Sequence, residues 1–257
     1  MNSGPSAMIF DLDGVITFTA RVHAGVWKQM FDEFLKERSS QFHEPFEQFT
    51  IDHDYLTYVD GKPRYDGVAS FLASRNISIP YGSPSDPPTD KTVCGLGNRK
   101  DKLFNEKVQK DGVEVDHDVV RLVRELRAKD IRVGVASSSR NVVPILERVG
   151  IRDLFDEIVD GIVSERLHLR GKPEPDIFLQ CLAQLTPDAD PLKAGIAEDA
   201  IVGVMAGHRG RFALVLGVDR HASGALSNNG ANWVIKDFST ITADKITAFF
   251  REGVRAA

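Results

Sequence analysis

An α/β protein with a doubly wound parallel sheet, interrupted once by a helical insertion, is the fold class this sequence predicts. Three observations carry that reading. After Val113, short apolar runs alternate with segments of helical periodicity, as parallel strands joined by crossover helices require. Between Thr17 and Val113 the periodicity is helical and no convincing strand occurs. The first apolar run, Ala7 to Phe10, stands before that helical stretch, so the core comes in two pieces. The expected domains are an α/β core at 1–17 and 112–257 and an α-helical cap at 18–111.

The run Ala7 to Phe10 reads as a buried strand ending on Asp11-Leu12-Asp13-Gly14. Both aspartates thus stand at a strand's C-terminal end, where open α/β sheets place their ligand crevices. Gly14 permits the tight turn that lets both carboxyls face one point. Over 20–38, Val22, Val26, Met30 and Phe34 step at helical spacing beside Trp27, Phe31 and Leu35, and Trp27 is read as cap core. Asp66 is placed to cap a second helix burying Val68, Phe71 and Leu72, and 100–110 reads as a third. The Pro-rich run 81–88 cannot hold a helix and is expected to be mobile or extended, a surface insertion rather than a substrate lid. Asp116 can cap the helix carrying Val119, Leu122, Val123 and Leu126. Beyond it, strands are expected at 131–136, 157–159, 194–197, 212–216 and 233–235. Helices at 142–149, 177–184, 201–208 and 243–251 separate most of them.

A chain of 257 residues, 42% hydrophobic and 27% charged, has the composition of an ordinary globular protein with ample core. A net charge of −5 argues against nucleic acid or an anionic membrane as partner, so any phosphate site must draw on local cations. Cys94 and Cys181 form no CxxC and no Cys/His cluster, which leaves no disulfide framework and no zinc site. With no apolar run long enough for a signal or a membrane span, the expected location is the cytoplasm and the expected state a monomer.

The chemistry-bearing residues fall at strand ends. A carboxylate such as Asp11 can attack phosphorus and become an aspartyl-phosphate. A second carboxyl two residues on, Asp13, can exchange protons with the oxygen that leaves or attacks. Ser137-Ser138-Ser139-Arg140-Asn141 follows the 131–136 strand; such a cluster caps a helix and can hold an anion. Lys172 precedes Pro173 in a segment that reads as too polar for core. Glu198-Asp199 closes another strand, and Asp199 with Asp11 offers the hard oxygen atoms that Mg2+ favours. Thr19 and His23 stand one helical turn apart and can share a face.

In that order, nucleophile, hydroxyl cluster, lysine and paired acids resemble the haloacid dehalogenase superfamily of phosphotransferases. The run Asp11-Leu12-Asp13-Gly14-Val15-Ile16-Thr17, followed by Thr19, Ala20 and His23, resembles its β-phosphoglucomutase-like subfamily, over about residues 7–217. The resemblance implies a Rossmann-like core with a helical cap, and an enzyme. It implies that Asp11 is the nucleophile, and that Asp13 is the acid/base whose backbone carbonyl also faces Mg2+. Asp199 completes the metal site, with Glu198 as an outer ligand. Thr19 and His23 would position Asp13, while Ser137 and Lys172 would hold the transferring phosphoryl group. Gly61-Lys62-Pro63-Arg64 resembles the cap loop whose arginine grips a second phosphate, completed by Ser138, Ser139, Arg140 and Asn141 on the core side. Lys100 matches a lysine that reaches into the site.

The implied reaction is a Mg2+-dependent conversion of β-glucose 1-phosphate to glucose 6-phosphate, with glucose 1,6-bisphosphate as intermediate or activator. The partner is then a small phosphorylated sugar, with neither nucleic acid nor membrane. Hydrolysis of small sugar phosphates is the alternative, and an inactive sugar-phosphate-binding protein a third reading. Two positions depart from the pattern: Phe18 stands where an aspartate is usual, and Ala200 where a hydroxyl residue is often found.

Overall fold

The apolar runs become β1 (Ala7–Phe10), β2 (Arg132–Ala136), β3 (Glu157–Val159), β4 (Ala194–Glu198), β5 (Leu214–Val218) and β6 (Trp233–Ile235) in the computed structural model, which describes residues 4–220 and 222–252. Among the described residues these six strands form one sheet, all parallel, in the order β3-β2-β1-β4-β5-β6. The connection from β1 runs to β2 on one side, whereas that from its other neighbour, β4, runs to β5 on the opposite side. The crevice at the carboxyl ends of β1 and β4 therefore lies at the switch point of the sheet. Phe10 is in register with Ala197 of β4 and Val135 of β2, so the residues after β1 emerge beside those that end β4.

The chain divides into two compact units, Met1–Phe18 with Glu114–Ala257, and Thr19–Val113. The second unit contains α1 (Ala20–Phe42), α2 (Arg64–Ser74) and α3 (Val93–Asp111), with a π-helical segment at Ile51–Val59. Its core is aromatic: Trp27 stacks on Phe31 at 5.4 Å between ring centres, and Phe31 meets Phe49 and Phe71 at 5.0 and 4.2 Å. Trp27 belongs to this core, as its helical spacing implied.

Three expectations for this unit need correction. Asp66 does not cap α2: Pro63 holds the cap position, its φ of −53° already set for a helix, and Asp66 sits in the first turn. The third helix begins at Val93, not Lys100, with the Thr92 hydroxyl accepting the Gly95 N–H. The Pro-rich run 81–88 holds no helix, but it is neither extended nor loose: it turns at 84–85, Asp86 N–H donating to the Ser83 carbonyl at 2.9 Å, and is fastened to α3. Asn98 Nδ2 donates to the carbonyls of Pro84 and Asp86, and Arg99 Nε donates to that of Pro88.

In the first unit the sheet is flanked by α4 (His117–Arg127), α5 (Val142–Arg148), α6 (Gly161–Arg166), α7 (Asp176–Leu185), α8 (Ile201–Arg209), α9 (Ala225–Asn228) and α10 (Ala243–Glu252). All four residues of β1 are buried, as a parallel sheet covered on both faces requires. Ala7 and Ile9 join the cluster of Phe178, Leu182 and Val204 from α7 and α8. Phe10 points the other way, its ring 6.4 Å from that of Phe238. Asp116 caps α4 as expected, Oδ1 accepting the N–H groups of Asp118 and Val119.

Candidate active site

The parallel register places Asp11 directly beyond β1, its N–H donating to the Ala197 carbonyl of β4 at 2.9 Å. The chain turns at once: Asp13 N–H donates to Asp11 Oδ2 at 2.9 Å, and Gly14 N–H to the Thr17 carbonyl at 2.7 Å. Gly14 carries a φ of +89°, and a Cβ built there would lie 1.8 Å from Asp199 Oδ2. Glycine is thus required twice over, by the left-handed turn and by the approach of the Asp199 carboxylate.

Lys172, expected in a surface segment, is instead buried. Its Nζ donates to Asp11 Oδ1 and Glu198 Oε2, each at 2.7 Å. The polar local sequence concealed this because the compensating charges come from distant strand ends. A buried ammonium is tolerable only when paired and hydrogen-bonded. Burial alone would lower the Lys172 pKa, but Asp11 and Glu198 outweigh it and hold the ammonium above the usual lysine range. Burial raises Asp11 against the opposing pull of Lys172. It also pushes Glu198 up to about 7, with Lys172 again acting in the opposite direction. Glu198 Oε1 accepts the Ala200 N–H, and a Cβ at Gly203 would strike the Glu198 carboxylate at 2.1 Å. Gly203 on α8 is therefore the hollow that receives Glu198.

Carboxylate oxygens of Asp11, Glu198 and Asp199 lie within 4.8 Å of one another. Several hard oxygen donors, a glycine cradle beside Asp199 and one ammonium make a set that fits a hard divalent cation. Ser137, after β2, is buried; its Oγ accepts the Ser139 N–H, and Ser139 Oγ accepts the Asn141 N–H, both at 3.2 Å. Ser138 lies between them, with its carbonyl packed towards Gly161. Arg140 turns to an ion pair with Glu165 at 3.3 Å.

The second unit brings together another part of the expected set. Thr19, at the N-cap of α1, and His23, one turn into it, are both buried, the His23 N–H donating to the Thr19 carbonyl at 2.9 Å. Lys100 Nζ stands 2.6 Å from His23 Nδ1, over the rings of Trp27 and Phe104, with His23 stacked on Phe104. An ammonium can only donate, so Nδ1 accepts and the ring proton sits on Nε2. Arg64, at the start of α2, pairs with Asp101 at 3.0 Å and packs on Tyr65. Gly97 makes room for it: a Cβ there would meet the Tyr65 ring at 2.7 Å.

Sequence reasoning missed Gly203 and Arg220. Arg220 follows β5 as Asp11 follows β1, so the strand-end position was the available signal. Its Nε donates to the Gly14 carbonyl at 3.1 Å.

The family described as haloacid dehalogenase-like hydrolase matches residues 5–210. A β-phosphoglucomutase of Mycobacterium bovis is 43% identical over 241 residues, covering 91% of this chain and 90% of that one. A β-phosphoglucomutase of Bacillus subtilis is 34% identical over 240 residues, 93% and 92% of the two chains. The crystal structure of a β-phosphoglucomutase from Clostridium difficile shares the fold, with a TM-score of 0.74 at 21% identity over 96% of this chain and 98% of the other. The protein is an enzyme of phosphoryl transfer, a phosphoglucomutase or a phosphatase. The motifs at the strand ends, the parallel sheet that gathers them and these likenesses agree: the chain belongs to the haloacid dehalogenase superfamily, in its β-phosphoglucomutase-like subfamily.

Proposed function

We propose that this protein is a Mg2+-dependent β-phosphoglucomutase, interconverting β-glucose 1-phosphate and glucose 6-phosphate through an aspartyl-phosphate on Asp11. The observation that carries it is the Asp11–Lys172–Glu198 arrangement beside Asp199 at the switch point of the sheet. The names of the relatives at 43% and 34% identity favour the mutase over simple hydrolysis.

A carboxylate oxygen of Asp11 attacks phosphorus and the ester P–O bond of the donor breaks. The departing sugar oxygen takes the proton of Asp13. With glucose 1,6-bisphosphate as donor this releases glucose 6-phosphate. In the return step Asp13 removes the proton of the 6-hydroxyl of β-glucose 1-phosphate, whose oxygen attacks the aspartyl-phosphate, forming the bisphosphate again and freeing Asp11. Lys172 keeps the Asp11 carboxylate oriented and offsets the negative charge gathered by the phosphoryl group, with Ser137 as a further donor. Asp11, Asp199 and the Asp13 carbonyl, with Glu198 further out, would hold Mg2+, which supplies charge stabilisation to the phosphoryl oxygens. Arg64 supplies the bidentate grip on the second phosphate of the bisphosphate, for which its planar fork is suited.

The decisive experiment supplies β-glucose 1-phosphate, Mg2+ and a trace of glucose 1,6-bisphosphate. Glucose 6-phosphate as product supports the mutase, and stoichiometric inorganic phosphate makes the protein a phosphatase. Arg64→Ala should lower mutase turnover about 10–100-fold, the loss of a charged hydrogen-bonding contact, while acetyl phosphate hydrolysis stays near wild type. Equal losses on both substrates would remove Arg64 from the phosphate grip.

A further inference from the structure

Arg220 makes three contacts, one of them to the turn carrying Asp13. Its Nε donates to the Gly14 carbonyl at 3.1 Å, and its Nη2 to Asp116 Oδ2 at 2.8 Å. Its guanidinium lies 4.6 Å from the centre of the Phe18 ring. These partners stand on the two segments by which the chain leaves and re-enters the α/β unit. The segments are zipped to each other: Phe18 N–H donates to the Glu114 carbonyl, Asp116 N–H to that of Ile16, and Thr17 pairs with Val115. Arg220 fastens this pair of segments to the end of β5.

Gly14 is held from two sides. Arg220 grips its carbonyl, and the Asp199 carboxylate occupies the space a side chain at Gly14 would fill. A shift of the Gly14 peptide would move the turn bearing Asp13 against Asp199 and alter the spacing of the oxygens around Asp11. We propose that Arg220 is a positioning residue of the metal site, setting the Asp11–Asp13 turn against Asp199 through Gly14. The inference rests on the reading of Asp11 and Asp199 as Mg2+ ligands. Arginine is required because a single planar group must donate in two directions while stacking on a ring, which a lysine ammonium cannot do. The departure at position 18 takes on a meaning here. Phe18 offers Arg220 a face, whereas an aspartate there would compete with Asp116 and Gly14 for the same donors.

The test is calorimetric titration of Mg2+ into the full chain, with metal-free thermal melts alongside. Arg220→Met should weaken Mg2+ binding about 10–100-fold, the usual cost of removing a group that orients metal ligands. Arg220→Lys, keeping the charge but not the fork, should fall between that variant and wild type. A purely structural clamp would lower the melting temperature and leave Mg2+ affinity unchanged, so wild-type affinity in folded Arg220→Met overturns the proposal. If that variant does not fold, Arg220→Lys decides: affinity within twofold of wild type overturns it equally. A wild-type protein that binds no Mg2+ overturns the metal reading, and this proposal with it.

Discussion

Asp11 and Asp13 are two residues apart and should fail differently. Asp11→Asn removes the proposed nucleophile, so intact-protein mass after incubation with acetyl phosphate and Mg2+ should show no added phosphoryl group. Asp13→Asn keeps its backbone and should still be phosphorylated slowly, because acetyl phosphate needs little protonation of its leaving group. Its sugar turnover should fall about 10²–10⁴-fold, the range for a lost general acid/base. A phosphorylated Asp11→Asn protein would reject the nucleophile. Gly14→Ala is harsher than its size suggests, because the new methyl meets Asp199 Oδ2 at 1.8 Å and φ is +89°. Mg2+ affinity should drop at least tenfold by calorimetry, and unchanged affinity would detach Asp199 from the metal site. At this scale the aspartates were legible because an apolar run leads into them. The burial of Lys172 was not: its neighbours Gly171, Pro173 and Glu174 read as surface, and its counter-charges lie 161 and 26 positions away.

Among elements, the π-helical segment Ile51–Val59 hangs on one side chain. Asp54 accepts from the Thr50 N–H at 2.8 Å, the Thr50 hydroxyl at 2.9 Å and Arg75 Nη2 at 3.1 Å. Burial opposes its charge, yet these hydrogen bonds and the Arg75 charge outweigh burial and hold the carboxyl below the usual range. With a depressed folded pKa, the stabilisation is present above the unfolded value of about 3.9. It is lost as pH falls through the lower folded value. Asp54→Asn should therefore cost about 1–3 kcal/mol at pH 7 in urea melts, and the gap to wild type should close in strong acid. A gap independent of pH would show that charge is not what Asp54 contributes. This segment escaped sequence reading because Ile51-Asp52-His53-Asp54-Tyr55 matches neither helical nor strand periodicity. The first turns of α3 escaped it because Gly95 and Gly97 read as loop. Those glycines serve close packing instead: a Cβ at Gly95 would meet the Asp90 carbonyl at 2.4 Å. The crossover helices and most strands of the α/β unit were legible to within a few residues, because alternation of apolar runs with helical spacing survives uncertain ends.

For the whole molecule, the two tryptophans offer a division of labour. Trp27 lies in the aromatic core of Thr19–Val113, and Trp233 stands on β6, stacked on Phe249 at 5.7 Å. A cation held by Asp11 and Asp199 binds only the folded α/β unit. At about 100 times its Kd it should stabilise that unit by about 2.7 kcal/mol. Fluorescence of Trp27→Phe, which leaves Trp233 as reporter, should show the denaturation midpoint rising with Mg2+. An unmoved midpoint would argue against a metal at these carboxylates. The order of strands in the sheet could not be read from the sequence, since β1 pairs with partners first met at Arg132 and Ala194. No helix among the described residues is long and apolar enough to cross a membrane.

That strand order bears on how the chain is born. The central strand is translated before either neighbour, and the whole of Thr19–Val113 is translated before β2. At about 5–20 residues per second, Ala7–Phe10 waits on the order of 10 s for its first partner. Throughout that interval it is an apolar segment with both hydrogen-bonding edges open, the kind of stretch that chaperones bind and aggregates recruit. The helical insertion, rich in local contacts, can fold in the meantime, whereas the sheet must await β2 and β4. Placing β1 at the centre of the sheet thus leaves the ribosome-bound chain open just beside Asp11, the residue proposed here as nucleophile.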